Sequence, residues 1–264
     1  MRFINQKNRS ILRAMVVSDF KVRYQNSVLG YLWSLLRPLF LFLILYIVFT
    51  KFLKVGKGIA HYPVYLLLGI VLWNFFLEAT MISASSIVAR GDLIRKISIP
   101  RYLVVVSSSF AAFINLAITF LVVIIFAFIN GVYPAKSWII LPILIIELFA
   151  LSLSIGFILS ALFVKYRDVT YIWEVLMQAG FYATPILYSL SLLPLKYQKI
   201  LMLNPMAQII QDSRWSLVSH STITIWSLEK HKILMAIPII LVVSFILFAI
   251  PFFKSQSKYF AENL

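Results

Sequence analysis

Long apolar runs alternate with short, polar, mostly basic segments from Tyr31 to Phe253. The runs are continuous and lack the ten-residue alternation of a barrel strand. About 20 helical residues cross the ~30 Å hydrocarbon core of a bilayer. Six runs of that order predict transmembrane helices over residues 31–53, 62–88, 102–129, 137–164, 169–188 and 232–253. Arg9–Tyr24 follows a different pattern: Ile11, Leu12, Met15, Val16 and Phe20 recur at helical spacing, and Arg9, Arg13 and Lys21 stand off that stripe. This predicts a basic amphipathic helix, suited to the membrane surface or to packing on a partner. Between residues 189 and 231, Ile200–Leu203 and Met206–Leu217 are too short to cross, and Asn204-Pro205 separates them. They predict two short helices that dip into the membrane or lie on it.

The breaks carry their own chemistry. Pro38 falls early enough in the first span to be tolerated. Lys51, Lys54, Lys57 and Gly58 end that span, and Asn130-Gly131 with Pro134 turns the chain after the third. Pro185 bends or ends the fifth. Asp168 is placed to cap that helix. The segment Arg90–Arg101 predicts a short helix over Asp92–Ile97, basic on one side and apolar on the other, with Pro100 disfavouring helix at Ile99. It is a surface loop or a piece that docks into a partner's groove. The pattern as a whole predicts an all-α integral membrane protein, with a cytoplasmic segment over residues 1–30 and a six-helix domain over 31–264.

Composition agrees. The 264 residues are 62% hydrophobic and 12% charged, against about 25% charged in soluble domains. One soluble core could not hide this much apolar surface. The net charge is +15. In a soluble protein that would suggest nucleic acid; here the cations collect between apolar runs, where they set orientation. Fifteen of the 24 lysines and arginines fall in the N-terminal region up to and including Arg37, in Arg90–Arg101, in Lys165–Asp168 or in the tail. That balance places both termini in the cytoplasm, with the three lysines after the first span as a local exception.

Catalytic signals are few. Cysteine is absent, and nothing reads GxxxxGK[ST], so the chain has no P-loop for ATP. His61, His220 and His231 lie in loops or at loop edges without metal-ligand spacing. No nucleophile–base spacing stands out, and an enzyme is not expected. Glu78, Glu147 and Glu174 lie within spans, where an ionisable group is a functional hypothesis by default. A proton-coupled carrier would use such residues, but these lie singly on separate helices, and a water-lined cavity or an interhelix hydrogen bond explains them as well. Trp33, Tyr62, Trp138, Tyr171 and Tyr188 fit belt positions at span ends, although aromatic faces also stack on sugars. The densest stretch is Asp19–Pro38, with cations at Lys21, Arg23 and Arg37, aromatics at Tyr24, Tyr31 and Trp33, and Gly30 where the chain can bend. It reads as the hinge between a surface helix and a membrane bundle.

That stretch carries a resemblance. The chain resembles the permease subunits of ABC-2 type exporters of lipid-linked polysaccharides, the O-antigen, capsule and teichoic acid exporters. The residues are Asp19, Lys21, Arg23, Tyr24, Ser27, Leu29–Ser34 and Pro38, then Ile99-Pro100-Arg101, Tyr166-Arg167-Asp168-Val169, Thr184-Pro185-Ile186-Leu187-Tyr188 and Asn204-Pro205-Met206. Their order and spacing match across nearly the whole chain. Tyr166 departs mildly, since family members often have Phe there. The resemblance implies a bacterial inner-membrane homodimer that binds two copies of a separate ABC ATPase. ATP and Mg would belong to that partner, with no cofactor, metal or nucleic acid bound by this chain. It implies that Lys21, Arg23, Tyr24, Gly30, Trp33 and Arg37 meet the lipid diphosphate, and that Arg90, Asp92, Arg95, Lys96, Pro100, Arg101, Arg167 and Asp168 couple to the ATPase. Pro185, Tyr188, Asn204 and Pro205 would belong to an external gate made with the short helices. The implied cargo is undecaprenyl-diphosphate-linked O-antigen; teichoic acid, capsule or a smaller lipid or drug are alternatives within the superfamily. A proton-coupled secondary carrier and a membrane glycosyltransferase are the alternatives from other classes.

Overall fold

The computed structural model describes residues 6–24, 30, 32–54, 56, 58–96, 99–229 and 231–260, and every regular element among them is helical. In chain order these are α1 (Gln6–Tyr24), α2 (Leu32–Ile47) running into a π turn (Val48–Phe52), α3 (Tyr62–Ala89), α4 (Gly91–Lys96), α5 (Arg101–Ile129), a 3-10 turn (Lys136–Ile140) leading into α6 (Leu141–Lys165), α7 (Val169–Ala183), a 3-10 turn (Leu190–Leu192), α8 (Leu195–Met202), α9 (Pro205–Leu217), α10 (Ile225–Leu228), α11 (Lys232–Gln256) and a last 3-10 turn (Ser257–Tyr259).

Among the described residues, five helical segments are long and apolar enough to cross a membrane: Leu35–Phe52, Tyr62–Ala89, Arg101–Ile129, Lys136–Lys165 and Lys232–Tyr259. The expected fifth span is shorter than its sequence run. α7 has fifteen residues, about 22 Å at 1.5 Å per residue. It stops at Ala183 because Thr184 is extended and Pro185 has no N–H to continue the ladder.

α3 is the axis of the bundle. It is apolar over most of its surface, and a helix of that kind needs neighbours on most sides. In its apolar window 72% of residues are buried, against 6% in α2 and 17% in α11. α5 and α6 pack along it. The approach to α6 depends on small residues: a Cβ added to Gly156 would stand 2.7 Å from the Ser83 Cβ. Ser83 and Ser109 share a hydroxyl hydrogen bond of 2.9 Å in the same layer, linking α3 to α5.

The two ends differ. At one, α1 lays its apolar stripe on α5. Met15 is buried there, with Ile11 and Leu12 against it, in a cluster that includes Val104, Val105, Phe253 and Phe260. Burying one such side chain contributes about 1.5–3 kcal/mol. The amphipathic helix therefore spends its apolar face on its own chain. At the other end, α8, α9 and α10 form a cap. Ser137 Oγ donates to the Ser216 carbonyl at 2.7 Å, and Ser216 Oγ donates back to the Ser137 carbonyl, fixing α9 to the turn before α6. Lys199 and Glu229 pair at 2.9 Å beside a small core of Leu190, Met202 and Ile225. The sequence pattern anticipated two short helices here; α10 is a third, and Thr224 and Ser227 close it with a reciprocal capping box.

Candidate functional site

Two pairs of polar residues recur at helical spacing inside apolar helices: Asn74 with Glu78 on α3, and Asn115 with Thr119 on α5. A spacing of four puts each pair on one face. Both faces open onto a cavity of about 440 Å³, closed on its other sides by Trp33, Arg37 and Pro38 of α2 and by Glu174 of α7. Asn115 Nδ2 donates to both Glu78 carboxylate oxygens, at 3.2 and 2.8 Å. Thr119 spends its hydroxyl proton on the Asn115 or Leu116 carbonyl, each 3.0 Å away. Its oxygen keeps acceptor capacity, and the buried Asn115 Oδ1 has no partner among the described residues. The lining thus combines two carboxylates, two amides, a hydroxyl, a guanidinium and an indole. That set suits a polyhydroxylated ligand with a phosphate nearby.

Of the residues expected to meet a lipid diphosphate, Trp33 and Arg37 line this cavity. Gly30 stands just before α2 with φ +46, a backbone that glycine adopts without penalty, and its carbonyl accepts from the Trp33 N–H at 3.3 Å. Lys21 is exposed near the end of α1. The side chains of Arg23 and Tyr24, residues 25–29 and Tyr31 lie outside the described residues.

The expected coupling residues separate into free and engaged groups. Asp92, Arg167 and Asp168 are exposed, and Arg167 lies over the Phe163 ring at 5.2 Å. Asp168 occupies the cap position of α7 but makes no side-chain capping bond. Arg90 is engaged inward. It forms an ion pair with Asp19 of α1 and donates to Ser107 Oγ at 3.0 Å, while Ser107 Oγ lies 3.2 Å from the other Asp19 oxygen. Burial lowers the Arg90 guanidinium from its ordinary value, and Asp19 is the compensating charge. Arg101 donates to the Ser257 carbonyl and lies 5.8 Å from the Phe260 ring, holding the tail to the start of α5. Pro100 is the N-cap position of α5. The backbone of Arg95 and Lys96 ends α4; their side chains and residues 97–98 are outside the described residues.

The expected gate residues surround a break in helical structure. After Ala183 the carbonyls of Pro185, Ile186, Leu187 and Tyr188 have no intrahelical donor, yet each is caught. Arg214 of α9 donates to Pro185 and, at 2.7 Å, to Ile186. Tyr62 donates to Leu187 at 2.9 Å, and Tyr65 to Tyr188 at 3.3 Å. Arg214 also reaches the Tyr65 carbonyl at 3.0 Å and Gln211 Oε1 at 2.9 Å. It is fully buried, its guanidinium 3.4 Å from the Tyr65 ring centre. A Cβ at Gly69 would sit 2.5 Å from Arg214 Nη2, so only glycine leaves room for that reach. Asn204 caps α9, its side chain accepting from the Met206 N–H at 2.9 Å, and Pro205 opens the helix.

Sequence reasoning had not singled out Asn74, Asn115, Thr119, Tyr65 or Arg214. The i, i+4 polar pairs within apolar spans were visible as a signal. An arginine in a short apolar helix was visible too, but the backbone carbonyls it serves lie 28 to 149 residues away.

Comparison with known proteins supplies the context. A family model described as ABC-2 type transporter matches residues 11–218. The chain is 31% identical over 205 residues to the O-antigen export system permease protein RfbA of Klebsiella pneumoniae, covering 77% of this chain and 78% of that one. It is 27% identical over 258 residues to a protein of the same description from Myxococcus xanthus, covering 97% and 96%. The polysialic acid transport protein KpsM of Escherichia coli is more distant, at 22% over 204 residues, or 77% and 79%.

Proposed function

Since the chain belongs to the ABC-2 type transporter family, we propose that it is the permease subunit of an ATP-driven exporter of O-antigen. The observation that carries this reading is its similarity to O-antigen export permeases. In this reading the polymer arrives on undecaprenyl diphosphate at the α1 end of the bundle. Lys21, Arg23 and Arg37 meet the diphosphate, and Arg37 can do so with a two-pronged fork. The 440 Å³ cavity takes sugar units next to the diphosphate. Trp33 offers a stacking face, and Asn74, Glu78, Asn115, Thr119 and Glu174 offer hydrogen bonds to hydroxyls.

ATP hydrolysis belongs to a separate ABC ATPase, two copies of which dock at α4, at the Arg167–Asp168 loop and along α1. This chain contributes no cofactor chemistry. Two permeases form the conduit between them. α7 supports that pairing, because it buries only Met177 and presents Tyr171, Ile172, Val175 and Tyr182 outward. α7 together with Thr184–Tyr188 makes the sixth crossing, which puts both termini in the cytoplasm of a bacterial inner membrane. The cap of α8–α10 is then the external gate.

The test is genetic and chemical. Cells lacking this protein should accumulate undecaprenyl-linked O-antigen on the cytoplasmic side. Restoration of surface polymer should need both this chain and its ATPase. Normal surface O-antigen in the deletion strain would overturn the reading.

A further inference from the structure

The cavity bounded by α2, α3, α5 and α7 is graded along its length. Arg37 and Glu174 lie between one and two turns from the starts of α2 and α7, toward the α1 end of the bundle. Glu78, Asn74, Asn115 and Thr119 lie about three to five turns in from the ends of α3 and α5 on that side. Among the described residues that line the cavity, Arg37 is the one cation, against the carboxyl groups of Glu78 and Glu174. The deeper level thus holds an acid and, among those residues, no cation of its own.

The donors of this level are largely spent. Asn115 directs Nδ2 at both Glu78 oxygens, at 3.2 and 2.8 Å, so both act as acceptors, as in an ionised carboxylate. A protonated Glu78 could donate to Asn115 Oδ1, yet that oxygen is buried without a partner among the described residues, on a side chain only 8% exposed. Thr119 gives its proton to carbonyls of its own helix. What Asn115 and Thr119 have left to offer is acceptors. A neutral sugar brings hydroxyl donors to such a lining. A sugar acid brings a carboxylate, which meets like charge and further acceptors where little water screens them. Arg37 does not relieve this, because in the exporter reading the diphosphate occupies it.

We propose that Glu78, backed by Asn115 and Thr119, selects the class of polymer that enters: neutral sugars beside the diphosphate are admitted and carboxylate-bearing sugars are refused. This selection rests on the cavity being the exporter's sugar site. Rejection through a like charge gives specificity without extra affinity for the right cargo. Glu174, exposed at the shallow level, adds a weaker contribution that salt screens.

The experiment uses the full-length chain in lipid nanodiscs and two tritiated farnesyl diphosphate-linked disaccharides, one built of glucose and one of glucuronic acid. The wild type should bind the glucose probe at least about tenfold more tightly. Glu78→Gln keeps the shape and can keep the bond from Asn115, and it should gain affinity for the glucuronic acid probe and narrow the gap. A structural role for Glu78 would weaken both probes or neither. Glu174→Gln changes an exposed side chain, and it should narrow the gap in the same direction by less, so the test stands even where Glu78→Gln misfolds. Glu78→Asp retains the charge and should retain the preference. Arg37→Ala should weaken both probes alike, which tests the entry site separately. Equal binding of the two probes by the wild type would overturn the selection, and so would a preference unchanged in both glutamine variants. With Arg37→Ala still weakening both, the sugar-site reading would survive that result. Binding of neither probe would overturn the sugar-site reading and the selection with it.

Discussion

Pro185 removes one backbone donor and turns the chain out of α7, so the next carbonyls would face hydrocarbon unless something caught them. Arg214, Tyr62 and Tyr65 catch them. An unsatisfied buried acceptor costs about 1–3 kcal/mol, and Arg214 serves four. Their loss together is comparable to the ~5–15 kcal/mol that holds a domain folded. Arg214→Leu is therefore expected not to accumulate as folded protein, judged by size exclusion in detergent. Arg214→Lys keeps the charge but loses the planar fork, and its thermal midpoint should fall clearly below wild type. A wild-type midpoint in both would mean that the break is held some other way. The same residue marks the limit of reading from sequence. Pro185, Tyr188 and Asn204-Pro205 announced themselves by local chemistry. The donor that makes the break tolerable is defined by contacts between α9, α3 and the segment after α7, which no local pattern encodes.

At the scale of elements, α1 is fixed by two kinds of contact. Its stripe of Ile11, Leu12 and Met15 packs on the α5 cluster, and Asp19 pairs with Arg90 beside Ser107. Asn8 adds a hydrogen bond from its side chain to the Tyr102 hydroxyl at 3.2 Å. The ion pair is about 20% exposed, between a surface pair and a buried one, and contributes about 1–2 kcal/mol. Asp19→Asn should speed amide exchange across residues 6–24 and leave α3 and α6 protected. Asp19→Arg combined with Arg90→Asp should recover part of the protection. Unchanged exchange in Asp19→Asn would show that the apolar stripe alone holds α1. The amphipathic period predicted this helix and its apolar face, but not which surface covers that face. Crossing points have the same character. Gly156→Ala must push Ser83 away, and overpacking of this kind costs about 1–3 kcal/mol, which the thermal midpoint should register.

For the whole molecule, hydropathy located five spans closely, because each is a continuous apolar run bounded by charge or turn residues. It overran at α7: residues 184–188 are apolar, and only the backbone shows that they are not helical. The cavity was half legible. Arg37 and Trp33 are picked out by the basic, aromatic stretch that precedes the bundle and Glu78 and Glu174 as acids within spans, while their convergence with Asn115 depends on how α2, α3, α5 and α7 pack. If the cations at the α1 end hold a lipid diphosphate, Arg23→Ala with Arg37→Ala should sharply reduce surface polymer while the ATPase still co-purifies. Loss of the complex would assign them to structure. Charge reversal at Arg95 and Lys96 should uncouple export from ATP hydrolysis if α4 is the docking piece; unchanged export would remove it from that role.

The four captured carbonyls also bear on how the protein is made. A ribosome delivers the chain from residue 1 onward, so Pro185 and Ile186 leave it while Arg214 and the rest of α9 are still enclosed. Until α9 has been synthesised and folded back onto α3, that segment has no stable place in lipid. It must wait in the insertion machinery or in water. Nascent chains arrested with residues 184–188 outside the ribosome and α9 still inside it should therefore remain accessible to quality-control proteases at residues 184–188. Chains arrested after α9 has cleared the ribosome should close. On that expectation the segment after α7 settles only once Arg214 reaches it, which ties the second half of the bundle to α3.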